Sequence, residues 1–193
     1  MQTIALFGTS ADPPTAGHQA IIHWLSGRFD RVAAWVSDNP FKTHQASIEQ
    51  RCRMLRLLIA ELDRPNISLE QDLSHPRTVI AVQRARQRWG PDAALTLTIG
   101  ADLVPQLPKW YRAEELLQQV SLMVVPRPDC PLQDADLNAL RDMGTEVAIA
   151  NIASPPVSST AYRERGNREV LTPKIQDYIH QEQLYPCHTL AAR

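Results

Sequence analysis

The sequence predicts an α/β protein with a Rossmann-like, doubly wound parallel sheet, helices on both faces and further helices at the C-terminal end. Short apolar runs of strand length alternate with longer amphipathic runs, an order that is typical of parallel strands joined by crossover helices. No internal repeat or low-complexity segment interrupts this order. A chain of 193 residues can bury a full core, so residues 1–193 are interpreted as a single domain.

The predicted elements follow from apolar periodicity and from the turn residues between the runs. Strands are predicted at Thr3–Phe7, Arg31–Val36, Ile67–Glu70, Ala94–Ile99, Ser121–Val125 and Glu146–Ile149. Helices are predicted at Gln19–Leu25, from Ser47 to a break at Pro65, and at Val79–Trp89, Ala113–Gln118, Asp134–Met143, Ser159–Arg165 and Pro173–Gln181. The segment with Pro105, Pro108 and Trp110 is expected to be irregular, and the tail after Leu184 is expected to be frayed.

Local signals predict where some of these helices begin and which sides they bury. The first helix is expected to bury the side formed by Ala20, Ile21, Trp24 and Leu25. Ser47 and Gln50 have the spacing of a capping box at the start of the second helix. That helix is expected to bury the side formed by Ile48, Cys52, Leu55, Ile59 and Leu62. Thr78 is expected to cap the third helix.

Composition and charge exclude several classes of protein. A formal net charge of −1 offers no basic surface for nucleic acid, and no apolar run reaches the ~20 residues of a membrane span. The sequence lacks the charged start followed by an apolar run that is typical of a signal peptide, so none is expected. The cysteines Cys52, Cys130 and Cys187 are too scattered for a paired motif, so we expect reduced thiols in a cytoplasmic protein. Neither a GxGxxG nor a GxxxxGK[ST] motif occurs.

The stretch from Gly8 to His18 predicts an anion-binding turn. It joins the first strand to the first helix, whose free N–H groups lie at the positive end of the helix dipole. Gly17 permits a ligand to approach the backbone, while Thr15 and His18 add a hydroxyl and a ring N–H. Because parallel strands end at the same edge of a sheet, this turn should lie near the turn at Gly100–Asp102.

This turn resembles a signature of the nucleotidylyltransferase superfamily, T/H-x-G-H, here Thr15-Ala16-Gly17-His18. The wider stretch is similar to the GG[ST]FDPxHxGH loop of the nicotinate mononucleotide adenylyltransferases. Thr9, Ala11 and Thr15 depart from that loop, where the family has glycine, phenylalanine and histidine. Threonine at the last of these positions is usual in a sister family, the phosphopantetheine adenylyltransferases.

The stretch from Val157 to Arg163 predicts a second anion-binding turn. Ser158 is a natural N-cap, and the amides and hydroxyls of Ser159 and Thr160, with Arg163 one turn later, could hold a polyphosphate. Alone, such a stretch is more often a plain helix start. It resembles the IS[ST]Tx[IL]R motif of the same superfamily, and the pair of motifs indicates two turns that converge on one ligand.

Weaker resemblances to the same family occupy the middle of the chain. The stretch Ile99–Asp102 followed by Trp110–Tyr111 is similar to its IGxD and WY segments, and Asp38–Lys42 is similar to a shortened NxxP[HF][KR] loop. Arg51 and Thr78 match an arginine and a threonine of the family, and the tyrosine that usually precedes that threonine is Arg77 here.

The resemblance implies adenylyl transfer from ATP to nicotinate mononucleotide, with Mg²⁺ held mainly by the ATP phosphates rather than by a protein metal site. It assigns catalysis to Thr15, His18 and Arg163. It assigns ATP binding to Gly8, Thr9, Gly17, Gly100, Asp102, Ser158, Ser159 and Thr160. It assigns acceptor binding to Asn39, Lys42, Arg51, Arg77, Thr78, Trp110 and Tyr111. The expected partners are ATP and a pyridine mononucleotide.

The residues leave other interpretations open at this point. Nicotinamide mononucleotide or phosphopantetheine could replace nicotinate mononucleotide as acceptor; Trp110 and Tyr111 favour a pyridine nucleotide, and Thr15 favours phosphopantetheine. The departures from the family loop, together with Arg77, also fit a nucleotide-binding protein that has lost catalysis. Trp110 could equally be a core aromatic, and Lys42 is by default a solvated lysine.

Overall fold

One parallel sheet of six strands organises residues 1–38, 43–152 and 157–185, the residues that this computed structural model describes. Its strands are β1 at Thr3–Thr9, β2 at Arg31–Val36, β3 at Ile67–Leu69, β4 at Ala94–Gly100, β5 at Ser121–Val125 and β6 at Val147–Ile149. Their order is β3-β2-β1-β4-β5-β6, so the direction of winding reverses between β1 and β4. In such sheets a ligand binds beyond the carboxyl ends of the strands at this reversal.

Helices cover both faces of the sheet. They are α1 at Ala16–Ser26, α2 at Ile48–Leu62, α3 at Thr78–Trp89, α4 at Ala113–Leu117, α5 at Asp134–Asp142, α6 at Ser159–Arg165 and α7 at Pro173–Gln181. Short 3₁₀ helices occupy Gln71–Leu73, Ala101–Lys109 and Arg168–Val170. The predicted doubly wound fold with C-terminal helices is confirmed. None of the helices described is both long and apolar enough to cross a lipid bilayer.

Strand β1 separates two hydrophobic cores. Ile4 and Leu6 point into a core shared with α3, α4 and α5, while Ala5 and Phe7 point into a core shared with α1, α2, α6 and α7. Successive side chains of a strand alternate between its faces, so a strand buried on both faces is a continuous apolar run. This explains why β1 could be predicted from its apolar residues alone.

The predicted buried sides of two helices are wrong in part. Helix α1 buries Ile22 and Leu25 fully, whereas Ala20, Ile21 and Trp24 are only partly buried. Helix α2 buries the side formed by Arg51, Met54, Leu55 and Leu58. It packs against both β2 and α7, so its apolar side is wide and the predicted residues Ile48, Cys52, Ile59 and Leu62 lie along the flank.

Helix boundaries are predicted better than helix sides. The Ser47–Gln50 capping box is present, and the bounds of α6 and α7 are those predicted, whereas α1 begins at Ala16 and not at the predicted Gln19. Thr78, however, is the first residue of α3, and Arg77 occupies the cap position. The segment expected to be irregular is the 3₁₀ helix Ala101–Lys109, because the φ angle that proline imposes is compatible with a helix.

Candidate active site

The loop between β1 and α1 has a constrained backbone at the carboxyl edge of the sheet. Ala11 is buried with φ +47°, and the peptide bond between Asp12 and Pro13 is cis. A left-handed alanine costs about 1–2 kcal/mol and persists only where surrounding contacts hold it. The Ala11 N–H donates to Thr9 Oγ1 over 3.3 Å, so Thr9 lies within the site as a residue that supports the loop.

His18, in the first turn of α1, has a defined tautomer. The Thr15 N–H donates to His18 Nδ1 over 3.0 Å, and Thr15 Oγ1 lies 2.8 Å from the same nitrogen. A ring nitrogen that accepts a backbone N–H carries no proton, so the proton of neutral His18 is assigned to Nε2. Burial, and then the positive charge of Arg127, lower the pKa of His18 to about 4. At neutral pH the ring is therefore an uncharged donor through Nε2.

Thr15 holds the His18 ring in place. The residue is only 1% exposed, and its hydroxyl lies against the imidazole ring. Thr15 therefore orients His18, and a direct contact of its hydroxyl with phosphate stays a prediction.

The second predicted turn meets the first. Ser159 Oγ donates to the Pro13 carbonyl over 2.7 Å, across 146 positions of sequence, and Arg163 Nη1 donates to the Asp12 carbonyl. A Cβ added to Gly17 would lie 3.2 Å from Val157 Cγ2, so the glycine allows the two turns to pack closely. The convergence expected from the sequence is therefore present in the structure.

Helix α6 begins as the sequence predicts. Ser158 Oγ accepts a hydrogen bond from the Ala161 N–H over 3.1 Å, which confirms Ser158 as the N-cap. Thr160 is exposed, and its Oγ1 accepts from Arg163 Nη2 over 3.2 Å. The hydroxyl of Thr160 and the guanidinium of Arg163 thus lie together beside the β1–α1 loop, while the Ser159 hydroxyl is bonded to that loop.

Close packing against Trp35 explains why position 8 is a glycine. This residue is paired with Trp35 of β2, and a Cβ added to it would lie 2.7 Å from the indole ring. The glycine therefore makes room for a buried tryptophan, a reason that differs from the ATP contact expected of it. Any larger residue here would displace Trp35 or the end of β1.

A charged pair that the sequence analysis missed lies at the ends of β4 and β5. Arg127 Nε is 3.1 Å from Asp102 Oδ1, and a Cβ on Gly100 would lie 2.5 Å from that oxygen and 3.1 Å from Arg127 Nε. The charge of Arg127 also lowers the pKa of His18 in the first turn of α1. An arginine two positions after a buried strand is the signal that could have identified it, because strand ends gather at the site.

Arg51 has a different position from the one expected of an acceptor-binding residue. Its side chain is 2% exposed, and Nη1 donates to the carbonyls of Ser10 and Ser37 over 2.9 and 3.0 Å. Its Nη2 is 3.9 Å from Asp38 Oδ1. Arg51 therefore joins the loop after β1 to the end of β2, and its contact with the acceptor stays a prediction.

Among the remaining acceptor candidates that the structure describes, Arg77 and Tyr111 form an open surface where α3 begins. The Arg77 guanidinium lies over the Tyr111 ring, 4.0 Å from its centroid, and Tyr111 is 49% exposed. Trp110 is partly buried against the core, and Thr78 is partly buried in the first turn of α3. The predicted residues Asn39 and Lys42 lie outside the described part of the chain.

The order of the strands and the two turns joined at the reversal of the sheet are those of the class of α/β domains that bind nucleotides. Residues 6–165 match the model of the cytidylyltransferase-like family. A probable nicotinate-nucleotide adenylyltransferase of Synechocystis sp. is 42% identical over 94% of this chain and 98% of its own length. The chain belongs to the cytidylyltransferase-like family and, within it, to the nicotinate-nucleotide adenylyltransferases.

Two more distant proteins match nearly the whole chain. A probable nicotinate-nucleotide adenylyltransferase of Bacillus cytotoxicus is 29% identical over 96% of this chain and 99% of its own. The solved structure of Plasmodium falciparum nicotinic acid mononucleotide adenylyltransferase complexed with NaAD superposes with a TM-score of 0.82 at 16% identity. It covers 96% of this chain and 98% of that chain, so the whole fold is shared.

Proposed function

We propose that this protein transfers AMP from ATP to nicotinate mononucleotide, giving deamido-NAD and pyrophosphate in NAD biosynthesis. The observation that carries the proposal is the joining of the two phosphate-binding turns, Ser159 to Pro13 and Arg163 to Asp12. The names of the relatives supply the acceptor, since the Synechocystis protein is a probable nicotinate-nucleotide adenylyltransferase. We propose further that residues 1–193 form one catalytic domain and that it acts in the cytoplasm.

This reaction needs no nucleophile from the protein; it depends on how the protein positions the two substrates. An oxygen of the acceptor phosphate forms a bond to the α-phosphorus of ATP, while the bond from that phosphorus to the pyrophosphate oxygen breaks. Negative charge therefore moves onto the leaving pyrophosphate. Groups that hold both substrates in line and neutralise this charge supply the rate enhancement.

His18 is the group best placed for this role at the β1–α1 turn. Its Nδ1 is held by Thr15, so Nε2–H is the donor that remains for a phosphate oxygen. Arg163 and Thr160, together on α6, would donate to the same triphosphate from the other side. Each contact strengthens as charge accumulates on the departing group, which is what lowers the barrier.

Mg²⁺ is expected to enter with ATP. In the part of the chain that the structure describes, no group of three or more histidine, cysteine or acidic side chains could hold a metal ion. The donors at the turns are N–H and hydroxyl groups, which suit phosphate oxygens. When bound, Mg²⁺ supplies further neutralisation of phosphate charge, held mainly by the substrate itself.

The acceptor is proposed to lie on the surface where α3 begins. Arg77 and Tyr111 offer a cation and an aromatic face side by side, a pair that suits a planar ring carrying a carboxylate. Trp110 and Thr78 border the same surface, and Asn39 and Lys42 stay predictions for the acceptor phosphate. Gly100 ends β4 and Asp102 follows it in the 3₁₀ helix Ala101–Lys109, and both stay predictions for ATP binding.

The proposal is tested by pyrophosphate release from ATP with three acceptors in turn: nicotinate mononucleotide, nicotinamide mononucleotide and phosphopantetheine. We expect rapid release with the first only. Release with one of the others would transfer the assignment to that acceptor. Absence of release with all three, in protein that binds ATP by calorimetry, would favour a nucleotide-binding protein without catalysis.

A further inference from the structure

The side chain of Asp12 is a point where several segments of the site meet. Its carboxylate is buried, and it accepts hydrogen bonds from the N–H groups of Gln45 and Ala46 over 2.9 and 3.2 Å. The backbone carbonyl of Asp12 accepts a hydrogen bond from the Arg163 guanidinium. The Tyr185 hydroxyl donates to Asp12 Oδ1 over 2.6 Å, across 173 positions of sequence. We call these five residues the Asp12 junction.

The C-terminal end of α7 turns the chain so that Tyr185 lies next to Asp12. The Leu184 N–H donates to the Ile179 carbonyl over 3.0 Å and the Gln183 N–H to that of His180 over 3.3 Å, with Gln183 at φ +51°. This is the Schellman pattern of a helix end, which reverses the direction of the chain. The expected frayed tail is thus ordered at Tyr185, and the reversal returns this residue to the β1–α1 loop.

Tyr185 is buried and contacts another aromatic ring. It is 4% exposed, and its ring meets Tyr162 of α6 edge to face, with centroids 5.6 Å apart. Burial, and then its hydrogen bond to Asp12 and the charge of that carboxylate, raise the pKa of Tyr185. The hydroxyl therefore stays protonated at neutral pH and donates continuously to Asp12.

We propose that Tyr185 is a positioning residue for ATP, acting through Asp12 to hold the β1–α1 loop in its binding conformation. The loop contains the left-handed Ala11, a conformation that needs support from its surroundings. A buried carboxylate that loses a donor is poorly satisfied, so the loop would then leave this conformation more often. The Asp12 junction also includes Arg163, so both phosphate turns depend on it.

Replacement of Tyr185 by phenylalanine removes the hydroxyl and keeps the ring. We expect Tyr185→Phe to weaken ATP binding about tenfold, and kcat at saturating ATP to fall less than about threefold, because bound ATP selects the competent loop. The matched control is Tyr178→Phe, a partly buried tyrosine of α7 that packs against the same core and is not among the described donors to Asp12. Equal ATP affinity in the two variants would overturn the proposal.

A double-variant cycle separates this role from a general loss of packing. If Tyr185 acts through Asp12, adding Tyr185→Phe to Asp12→Ala, which removes the acceptor of the Tyr185 hydroxyl, should weaken ATP binding little beyond Asp12→Ala alone. Additive losses would show independent effects and would refute the proposed route. Hydrogen exchange gives a reading without ATP: the amides of Gln45 and Ala46 should exchange faster in Tyr185→Phe than in Tyr178→Phe.

The inference rests on the proposed use of the β1–α1 loop for ATP, and the two can fail separately. Calorimetry of the unaltered protein with ATP alone comes first. If it shows no binding, the proposed function fails, while the exchange rates at Gln45 and Ala46 still decide whether Tyr185 holds the Asp12 junction. If ATP binds and those rates do not differ between the variants, the inference fails alone.

Discussion

The ATP-binding end of the proposed site is held by buried cross-links, whereas the described part of the acceptor end depends on exposed side chains. At the first, Arg51 and Asp12 are each 2% exposed and are bonded to backbone groups of other segments. At the second, Arg77 and Tyr111 lie on each other at the surface. From this difference in burial we predict that changes at the first end will alter turnover or folding. Changes at the second should alter acceptor affinity.

The largest effect is expected from His18→Ala. Loss of one preorganised donor to the charge of the leaving group should lower kcat by roughly 10²–10³, the scale of removing an oxyanion-hole donor. Steady-state kinetics at saturating ATP and acceptor would measure it. His23→Ala, an exposed histidine of the same helix, is the control and should retain normal turnover. Unchanged turnover in His18→Ala would remove this residue from the mechanism.

The lowered pKa of His18 should make the stability of the protein depend on pH. The folded pKa of His18 is about 4 against 6.5 in an unfolded chain, so the unfolded state binds more protons between these values. Stability should therefore fall as pH drops below about 6.5, by about 2 kcal/mol at pH 4.5 from this residue. Urea unfolding at pH 7.5 and 4.5 measures this loss, which should be smaller in His18→Asn. An equal loss in both proteins would contradict the lowered pKa.

Gly8→Ala tests whether the strand below the phosphate loop depends on close packing. The new methyl group would meet the Trp35 ring at 2.7 Å, so we expect a loss of roughly 1–2 kcal/mol in the free energy of unfolding. Gly27→Ala is the matched control, because the nearest atom to its new Cβ is the Trp24 carbonyl oxygen at 3.8 Å. Similar losses in the two variants would show that the Trp35 contact is unimportant.

The smallest effect is expected at the acceptor surface. Arg77→Gln should raise the KM for nicotinate mononucleotide about tenfold and leave the KM for ATP unchanged, since a charge-assisted hydrogen bond is worth about 1.5–3 kcal/mol. Initial rates with each substrate varied in turn would measure both constants. Arg112→Gln, which removes a neighbouring arginine paired with Glu115, is the control. A raised KM for ATP in Arg77→Gln would contradict the separation of the two ends.

The sequence by itself determined the strands and α-helices and their order, the start of α2 at the Ser47–Gln50 box, the cap at Ser158, and the two turns proposed to bind phosphate. These features depend on periodicity and on contacts within a few residues, so they can be recognised without a fold. The relation of this chain to the adenylyltransferases followed from the same local motifs.

Only the tertiary structure decided which of the predicted residues are buried against other segments and which stay exposed. It placed Thr15 against His18, buried Arg51 between two loops, and brought Arg127 and Tyr185 to the site from distant parts of the chain. The physical reason is that burial is a property of packed segments. A residue type suited to phosphate is equally suited to a backbone carbonyl, and which of the two it meets depends on neighbours far away in sequence.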